Sequence, residues 1–548
     1  MRYRIPLVLK EDLSYSMATP VKILIGITFL ASFPTAVMAQ RSFSEAASSA
    51  VNYSHAGARK QKNCHELQKF TDANLTILAT ESAPPNGDVP AYCRVSGMIA
   101  PEIEFRVSLP DDWNRRVYMT GNGGHAGEDL DAPYLVARHE NALRHGFVTA
   151  ATNTGHSAAK EPEATFAFNN DQKLVDYAFR AVHLTAVTAK QMAAAYYDQP
   201  VAFSYWDGCS TGGRQGLMEA QRFPADFDGI LAGAPVLDFT GTTVMGLWYG
   251  RVQDEIPIPV EIMDIVSHAV TGKCDAIDGL EDGLIEDPRN CDFDPLHDLP
   301  ICTAEQAEVD CITRPQAEAL QKMYSGPMTS GGENIFPGMP LGAEKVARGF
   351  GGALYSGWAG TVLNVGEREA FAIAIAKSSM RYMAFPQDQP DWEASTFNFD
   401  EDPQKLTALG DLVDAVDPEL SDFAARGGKL LMYFGWADPL LMPQMGVDYY
   451  EAALEANGPD TTDFFRLFMM PGVFHCAGGY GPDRFDGMTP LIEWVENGTP
   501  PEALRASRVE DGEVIRSRPL CSYPQVARYR GAGDVDDASN FTCRTPPR

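Results

Sequence analysis

One short segment, which joins a predicted strand to a predicted helix, constrains the fold of this chain more than any other. A strand is predicted over residues 201–205 and a helix over residues 213–222, with Gly208-Cys209-Ser210-Thr211-Gly212 between them. A Gly-x-Ser-x-Gly sequence in this context forms a sharp turn that leaves the serine hydroxyl exposed above a sheet. Glycines at both ends relieve the steric crowding of such a turn. The segment therefore predicts an α/β fold with Ser210 as a candidate nucleophile.

Alternation of strands and helices continues on both sides of this turn. Strands are predicted at residues 105–109, 116–119, 147–151, 229–233, 429–434 and 464–469, and helices at residues 176–197 and 490–496. Such alternation argues for a parallel sheet with helices on both faces. The pattern breaks between residues 236 and 425, where Gly, Pro and Asp are frequent. We therefore predict a core formed by residues 40–235 and 426–548, with residues 236–425 inserted as a lid domain.

The first 39 residues have the pattern of an export signal. Lys22 precedes the apolar run 23–31, and Val37-Met38-Ala39 places small residues at a cleavage site. The apolar run is too short to span a bilayer comfortably. Met17 is an alternative start. The sequence predicts a secreted or periplasmic protein and does not separate the two.

The formal net charge of -30 limits the partners that such a protein can have. A surface this acidic repels nucleic acid and anionic membranes, so neither is expected to bind. A small-molecule substrate is the expected partner, and the oligomeric state is not predictable from the sequence.

Ten cysteines in an exported chain predict disulfides. Four pairs follow from proximity in sequence: Cys64–Cys93, Cys274–Cys291, Cys302–Cys311 and Cys521–Cys543. The pair that remains is Cys209–Cys476. Bonded cysteines have Cα atoms roughly 5.5 Å apart, so this bond would force Ser210 close to His475.

His475 is the candidate general base, because a histidine beside a serine can accept the hydroxyl proton as the oxygen attacks a carbonyl. It follows the strand predicted at residues 464–469 and lies in a turn. His125, His156 and His183 also fall in the predicted core. Each of these three is more typical of a structural or pocket residue, since only His475 has the cysteine tether.

Asp438 is the candidate acid of the site. It follows a predicted strand, in Gly435-Trp436-Ala437-Asp438-Pro439, where its carboxylate can hold an imidazole in the required tautomer. Asp483 and Asp486 are rivals, but both come after the histidine. The order serine, acid, histidine is the one expected for the α/β-hydrolase fold. That fold, with a large inserted lid domain, is the predicted class.

Two backbone N–H groups are expected to form the oxyanion hole. Thr211 supplies one, because it follows the candidate nucleophile and begins a helix. The other should come from Gly121-Asn122-Gly123-Gly124, a glycine-rich loop that follows a predicted strand. Gly124 is our choice, although the sequence does not separate it from Gly123.

Residues 274–284 combine several carboxylates with glycine turns. Hard oxygen ligands of this kind suit Ca²⁺, which takes six to eight oxygens, backbone carbonyls included. The spacing is not that of an EF-hand. On chemistry alone, a calcium site and a solvated acidic loop are equally good interpretations.

Several long motifs resemble the tannase and feruloyl esterase family. The longest occupies residues 204–216 and continues in residues 220–224, 226–230 and 233–235, and residues 435–439 and 475–479 also match. The resemblance covers about residues 64–543. It implies hydrolysis of esters of aromatic acids, including gallate and hydroxycinnamate esters. It also implies a bond between the cysteines that flank the catalytic serine and histidine.

The same resemblance implies a structural Ca²⁺ in the lid. Its ligands would be the carboxylates of Asp275, Asp278 and Asp282 with the carbonyls of Leu280 and Leu284.

A bacterial branch that the chain is similar to hydrolyses mono(2-hydroxyethyl) terephthalate, and there a lid arginine holds the free carboxylate of the substrate. Arg381 is a candidate counterpart, with a surface or structural arginine as the other interpretation. The sequence thus predicts an exported serine esterase for feruloyl- or galloyl-type esters. Terephthalate monoesters are the alternative substrates, and an inactive phenolic-binding protein is the alternative from another class. The intact Ser210, Asp438 and His475 argue against inactivity, whereas the preferred acid and alcohol stay open.

Overall fold

Strands that are buried on both faces form the centre of the fold. The computed structural model describes residues 42–53, 57–303, 310–348 and 354–546, so the predicted export signal, residues 1–39, lies outside the described residues. The strands are β1 (Ala58–Arg59), β2 (Leu75–Ala83), β3 (Tyr92–Ile99), β4 (Ile103–Pro110), β5 (Asp112–Trp113), β6 (Arg116–Thr120), β7 (Val148–Thr152), β8 (Phe203–Cys209), β9 (Gly229–Gly233), β10 (Val346–Arg348), β11 (Leu354–Ser356), β12 (Lys429–Gly435), β13 (Phe465–Met470), β14 (Ala503–Glu510), β15 (Glu513–Cys521), β16 (Val526–Tyr529) and β17 (Phe541–Arg544). Nine of these described strands form one sheet, in the order β13-β12-β9-β8-β6-β7-β4-β3-β2.

The sheet is mixed, which corrects the predicted all-parallel arrangement. Strands β7, β6, β8, β9, β12 and β13 pair in parallel, as expected for strands joined through helices. Strands β2, β3 and β4 are antiparallel, and β4 pairs antiparallel with β7. The turns between β2, β3 and β4 are too short for a crossover, so only antiparallel pairing is open to these strands.

Helices cover both faces of the sheet, which confirms the predicted α/β fold. They are α1 (Pro133–Arg144), α2 (Asp171–Val175), α3 (Ala181–Tyr197), α4 (Thr211–Arg222), α5 (Phe239–Glu255), α6 (Met263–Cys274), α7 (Pro295–Asp298), α8 (Arg314–Ser325), α9 (Phe371–Tyr382), α10 (Thr407–Val413), α11 (Ser421–Ala425), α12 (Pro443–Asn457) and α13 (Met488–Asn497). Side chains alternate along a strand, so Trp206 packs in the same cluster as Leu217 of α4, whereas Tyr205 packs with Trp494 of α13. The helix predicted at residues 176–197 forms as α3, preceded by the π-helical turn Asp176–Arg180.

The strand before Ser210 is displaced from its predicted position. It was expected at residues 201–205, but β8 begins at Phe203 and continues to Cys209. Asp207 is tolerated in this buried strand because its carboxylate accepts hydrogen bonds from Tyr118 Oη, at 2.5 Å, and Arg138 Nη2, at 2.9 Å. A buried carboxylate with these partners is not destabilising in the way an unpaired one would be.

The regular elements between β9 and β12 are mainly helices. It contains α5 to α11 and the antiparallel pair β10–β11, and α5 packs against α9. This approach is close: a Cβ atom on Gly246 of α5 would lie 2.4 Å from the carbonyl oxygen of Ala372. The two helices therefore need glycine at that point.

Two observations are relevant to the predicted export, namely the disulfide pairs and the search for membrane-spanning helices. All five predicted disulfides are present: Cys64–Cys93, Cys209–Cys476, Cys274–Cys291, Cys302–Cys311 and Cys521–Cys543. Among the residues described, no helix has both the length and the apolar character needed to cross a membrane.

Candidate active site

Ser210 occupies a strained turn between β8 and α4. Its φ is +64° and its ψ is −122°, a conformation that non-glycine residues adopt rarely and at a cost of about 1–3 kcal/mol. Backbone bonds hold it there: its N–H donates to the carbonyl of Gly233 at 2.9 Å, and its carbonyl accepts from Arg214 N. A Cβ atom on Gly208 would lie 2.5 Å from the carbonyl oxygen of Gly212. The turn therefore requires glycine beside a serine whose side chain is only half-buried.

Asp438 and His475 lie on neighbouring loops, after β12 and β13. The Nδ1 atom of His475 is 2.8 Å from Oδ2 of Asp438, which is fully buried. The other carboxylate oxygen accepts the N–H groups of Leu440 at 2.8 Å and Leu441 at 3.0 Å. With the carboxylate fixed in this way, the imidazole has a defined orientation and leaves Nε2 for other partners.

The rival acids make different contacts. Asp483 accepts the N–H of Gly478, and Asp486 accepts the N–H groups of Met488 and Thr489 at the start of α13. Each rival carboxylate thus has a backbone partner of its own, and the bond to His475 is made by Asp438.

The Cys209–Cys476 disulfide connects the serine turn to the histidine loop. Its Cα atoms are 6.0 Å apart, and the two cysteines are separated by 267 positions in sequence. The Sγ atom of Cys476 lies 3.7 Å from Nε2 of His475. One covalent bond therefore fixes Ser210 and His475 in the same part of the molecule.

The glycine-rich loop after β6 packs directly on the serine turn. The N–H of Gly212 donates to the carbonyl of Asn122 at 2.8 Å, and the hydroxyl of Thr211 donates to the carbonyl of Gly124. The N–H of Gly123 is already bonded to Glu128 Oε1 at 2.8 Å. This engagement favours Gly124 over Gly123 as the second oxyanion donor, a distinction that the sequence did not allow.

A cleft opens beside Ser210. Its polar lining comes from the serine turn, the glycine-rich loop and the facing helices, and its apolar lining comes mainly from α5, α9 and the loop after Asp438. The lining residues are Gly124, His125, Ser210, Thr211, Val236, Phe239, Thr242, Thr243, Phe371, Ala372, Ile375, Ser379, Leu440 and Leu441. A half-buried serine hydroxyl at the edge of a mainly apolar cleft is suited to meet a neutral, hydrophobic compound.

Comparison with known proteins decides the family. Residues 87–544 match the family model described as "Tannase and feruloyl esterase". A mono(2-hydroxyethyl) terephthalate hydrolase from Piscinibacter sakaiensis is 33% identical over 529 residues, covering 84% of this chain and 86% of that protein. The chain belongs to the tannase and feruloyl esterase family. It is therefore a carboxylic ester hydrolase of the feruloyl esterase and tannase type.

Solved structures of similar proteins share the fold. An esterase from Aspergillus oryzae superposes with a TM-score of 0.77 at 25% identity, covering 88% of this chain and 99% of that one. Feruloyl esterase B from Aspergillus oryzae gives a TM-score of 0.74 at 26% identity, with the same coverage of both chains. The fold class is thus the predicted α/β-hydrolase type.

Arg381 does not fit the carboxylate-binding role considered for it from the family resemblance. It lies on α9, but the residues of that helix that line the cleft are Phe371, Ala372, Ile375 and Ser379. Residues two positions apart on an α-helix point about 200° apart, so Arg381 faces away from the side of Ser379. Its Nε donates to the carbonyl of Trp392 at 3.1 Å. Arg381 has the contacts of a structural arginine.

The other core histidines fall into two groups. His156 stacks on Phe166 with ring centroids 3.9 Å apart, and His183 Nδ1 lies 2.5 Å from Asp226 Oδ2; neither residue lines the cleft beside Ser210. His125 instead lines the cleft beside Ser210. Burial, with a smaller contribution from His156, lowers the pKa of His125 to about 3, so its ring is neutral. Its position directly after Gly124 was the sequence signal for a cleft residue.

In the acidic loop of residues 275–284, backbone N–H groups donate hydrogen bonds to carboxylates of the same loop. Asp275 accepts the N–H groups of Asp282 and Gly283, and Asp278 accepts the N–H of Leu280. Burial, and then the negative charges of Asp282 and Asp275, raise the pKa of Asp278. Three mutually repelling carboxylates and nearby carbonyls are a donor set that fits Ca²⁺. One contact would compete with the ion, since Asp282 already pairs with Arg518.

Proposed function

We propose that this hydrolase cleaves esters of aromatic acids through an acyl-enzyme on Ser210, with His475 as general base and Asp438 as orienting acid. The observation that carries the proposal is the 2.8 Å contact between His475 and the buried Asp438, on a loop that a disulfide ties to the residue before Ser210. A neutral imidazole with one nitrogen held by a carboxylate uses the other as a base.

The reaction has two halves. His475 takes the proton of Ser210 as Oγ attacks the ester carbonyl, and the N–H groups of Thr211 and Gly124 stabilise the oxyanion. The alcohol leaves with a proton returned by His475. Water then attacks the acyl-enzyme, again with His475 as base, and releases the acid.

Aromatic acids are proposed because the cleft has apolar walls, with Phe239 and Phe371 among them. Feruloyl and galloyl esters are the first candidates, in line with the family and with the solved feruloyl esterase. Terephthalate monoesters are the second candidate, favoured by the identity to the terephthalate relative. The orientation of Arg381 away from the cleft weighs against the second candidate.

Export and calcium binding are further parts of the proposal. Five disulfides are expected only in an oxidising compartment, so we place the mature protein outside the cytoplasm. The carboxylates of Asp275, Asp278 and Asp282 and the carbonyls of Leu280 and Leu284 would hold Ca²⁺. The ion would neutralise the repulsion among these carboxylates and thereby stabilise their loop.

The test is a hydrolysis assay on methyl ferulate, methyl gallate and mono(2-hydroxyethyl) terephthalate. Ser210→Ala and Asp438→Asn should each lose on the order of 10⁴-fold in kcat or more. Asp483→Asn is the matched control, because Asp483 is also a buried loop carboxylate and it bonds Gly478 instead of His475. Its kcat should stay within about threefold of the wild-type value. Retained activity in folded Ser210→Ala would refute the mechanism, and a folded wild type that binds phenolics without hydrolysing any ester would favour a binding protein.

A further inference from the structure

The floor of the cleft holds a pair of polar side chains that the proposed catalytic steps do not use. The Nε2 atom of His125 lies 3.1 Å from Oγ of Ser379. Both residues line the cleft, yet His125 is only 6% exposed and Ser379 only 1% exposed. Phe371, two turns earlier on the same helix, is 46% exposed. Helix α9 therefore runs from the mouth of the cleft at Phe371 to its floor at Ser379.

The hydrogen bonds of this pair fix its protons. The hydroxyl of Ser379 donates to the carbonyl of Ile375 at 2.9 Å, so the ring nitrogen of His125 must donate to Ser379. A second lone pair on Ser379 Oγ then remains to accept a hydrogen bond. The other ring nitrogen, Nδ1, is buried and inaccessible to solvent. The pair can therefore serve a ring hydroxyl as a hydrogen-bond acceptor, through Ser379 Oγ.

Other polar groups in the cleft have less freedom. The hydroxyls of Thr242 and Thr243 donate to the carbonyls of Asp238 and Phe239, one turn back in their own helix. No lysine or arginine is among the described side chains that line the cleft. A carboxylate brought to this floor would be desolvated without a cationic partner, which is costly. A neutral hydroxyl would be hydrogen-bonded.

We propose that His125 and Ser379 form a subsite that hydrogen-bonds a ring hydroxyl of the aromatic acyl group. Esters of hydroxylated aromatic acids are then preferred over esters whose ring carries hydrogen or a carboxylate at the same position. The subsite rests on the proposed function, because it needs the aromatic acyl group to occupy this cleft.

The test compares kcat/KM for the methyl esters of 4-hydroxycinnamic, cinnamic and 4-carboxycinnamic acid. One hydrogen bond in a buried site predicts that the wild type prefers the hydroxylated ester by about tenfold over the cinnamate. The carboxylated ester should be the poorest substrate. Ser379→Ala should lower kcat/KM for the hydroxylated ester about tenfold and leave the cinnamate within about twofold, which removes the preference.

Thr243→Val is the matched control. It deletes a hydroxyl from the same cleft at nearly constant side-chain shape, but this hydroxyl is bonded within its own helix. The ratio between the two esters should therefore stay at the wild-type value. As a measurement that needs no variant, 4-hydroxycinnamamide should inhibit the wild type with an inhibition constant about tenfold lower than that of cinnamamide.

Three outcomes would overturn the subsite, and they differ from failure of the proposed function. The first is hydrolysis of all three esters at equal rates by the wild type. The second is an equal loss for hydroxylated and plain esters in Ser379→Ala, which would show a purely structural serine. Equal inhibition by the two amides is the third. Absence of hydrolysis for every ester by folded protein would instead refute the proposed function, and the subsite with it.

Discussion

Replacement of both Cys209 and Cys476 by alanine separates the two effects of the central disulfide, on stability and on catalysis. The bond joins residues separated by 267 positions in sequence. In the chain-entropy model, a closed loop of that length lowers the entropy of the unfolded chain by an amount worth about 5.6 kcal/mol at 25 °C, and measured gains are usually smaller. The double variant should therefore unfold at a clearly lower denaturant concentration than the wild type.

The catalytic effect has a different origin. The sulfur of Cys476 lies 3.7 Å from Nε2 of His475, and Cys209 directly precedes Ser210, so the bond defines the distance between nucleophile and base. A displacement of about 1 Å between reacting groups can cost about 100-fold in rate. We expect kcat to fall by about that factor, even at a temperature at which the variant is fully folded.

The Cys521–Cys543 bond provides the control. Its cysteines are separated by 22 positions, for which the same model gives about 3 kcal/mol. The corresponding alanine pair should lose stability and keep its kcat. Denaturant unfolding and kcat on an ester that the wild type hydrolyses would be measured side by side for both pairs. If the variant with alanine at positions 209 and 476 keeps kcat within threefold of the wild type, the disulfide only stabilises the fold. The idea that it sets the distance between Ser210 and His475 would then be wrong.

Two further predictions concern calcium and pH. Treatment with EGTA should lower the melting temperature by several degrees, because a ligand at about 100 times its Kd stabilises by about 2.7 kcal/mol. Asp278→Asn should abolish this response to EGTA. The control Asp287→Asn, which changes a carboxylate paired with Arg289, should keep the response. A wild-type melting temperature that EGTA leaves unchanged would contradict the calcium site. Burial and the charge of Asp414 raise the pKa of Asp238 to about 6, above the value of about 3.9 for an unfolded chain. Asp238 therefore makes its full contribution to stability below about pH 4, and this contribution is lost as the pH rises through 6. Asp238→Asn should raise the free energy of unfolding by about 2–3 kcal/mol at pH 7.5 and leave it unchanged at pH 4. An equal gain at both pH values in thermal or denaturant melts would refute this reasoning.

The parts of the site that the sequence predicted are those that local motifs specify. A glycine-flanked serine between a strand and a helix has few conformations open to it, so the residues alone predict the turn and the places of Ser210 and Thr211 in it. The cysteines then linked this turn to a loop 267 positions away. Local motifs and disulfide pairing together predict contacts between segments that are far apart in sequence. Apolar periodicity alone predicts no such contacts.

Contacts that depend on the rotation of a helix could not be predicted in this way. Arg381 and Ser379 are two residues apart, and sequence offers no means of deciding which of them faces Ser210 without knowing what α9 packs against. Gly246 and the backbone at Ala372 settle that question through their close approach. The antiparallel strands β2 and β3 were missed for a related reason, since the pairing of β2 with β3 and of β3 with β4 depends on turn geometry.

The proposed oxyanion hole and the proposed subsite share one backbone segment in this fold. Gly124 is fixed from two sides, by the hydroxyl of Thr211 and by that of Tyr177, both of which donate to its carbonyl. His125 is the next residue, and its ring contacts Ser379 Oγ at 3.1 Å. Ser379 comes instead from α9, in the part of the chain between β9 and β12. Changes in that helix can therefore alter which ring substituents are accepted while the groups that stabilise the oxyanion stay in place.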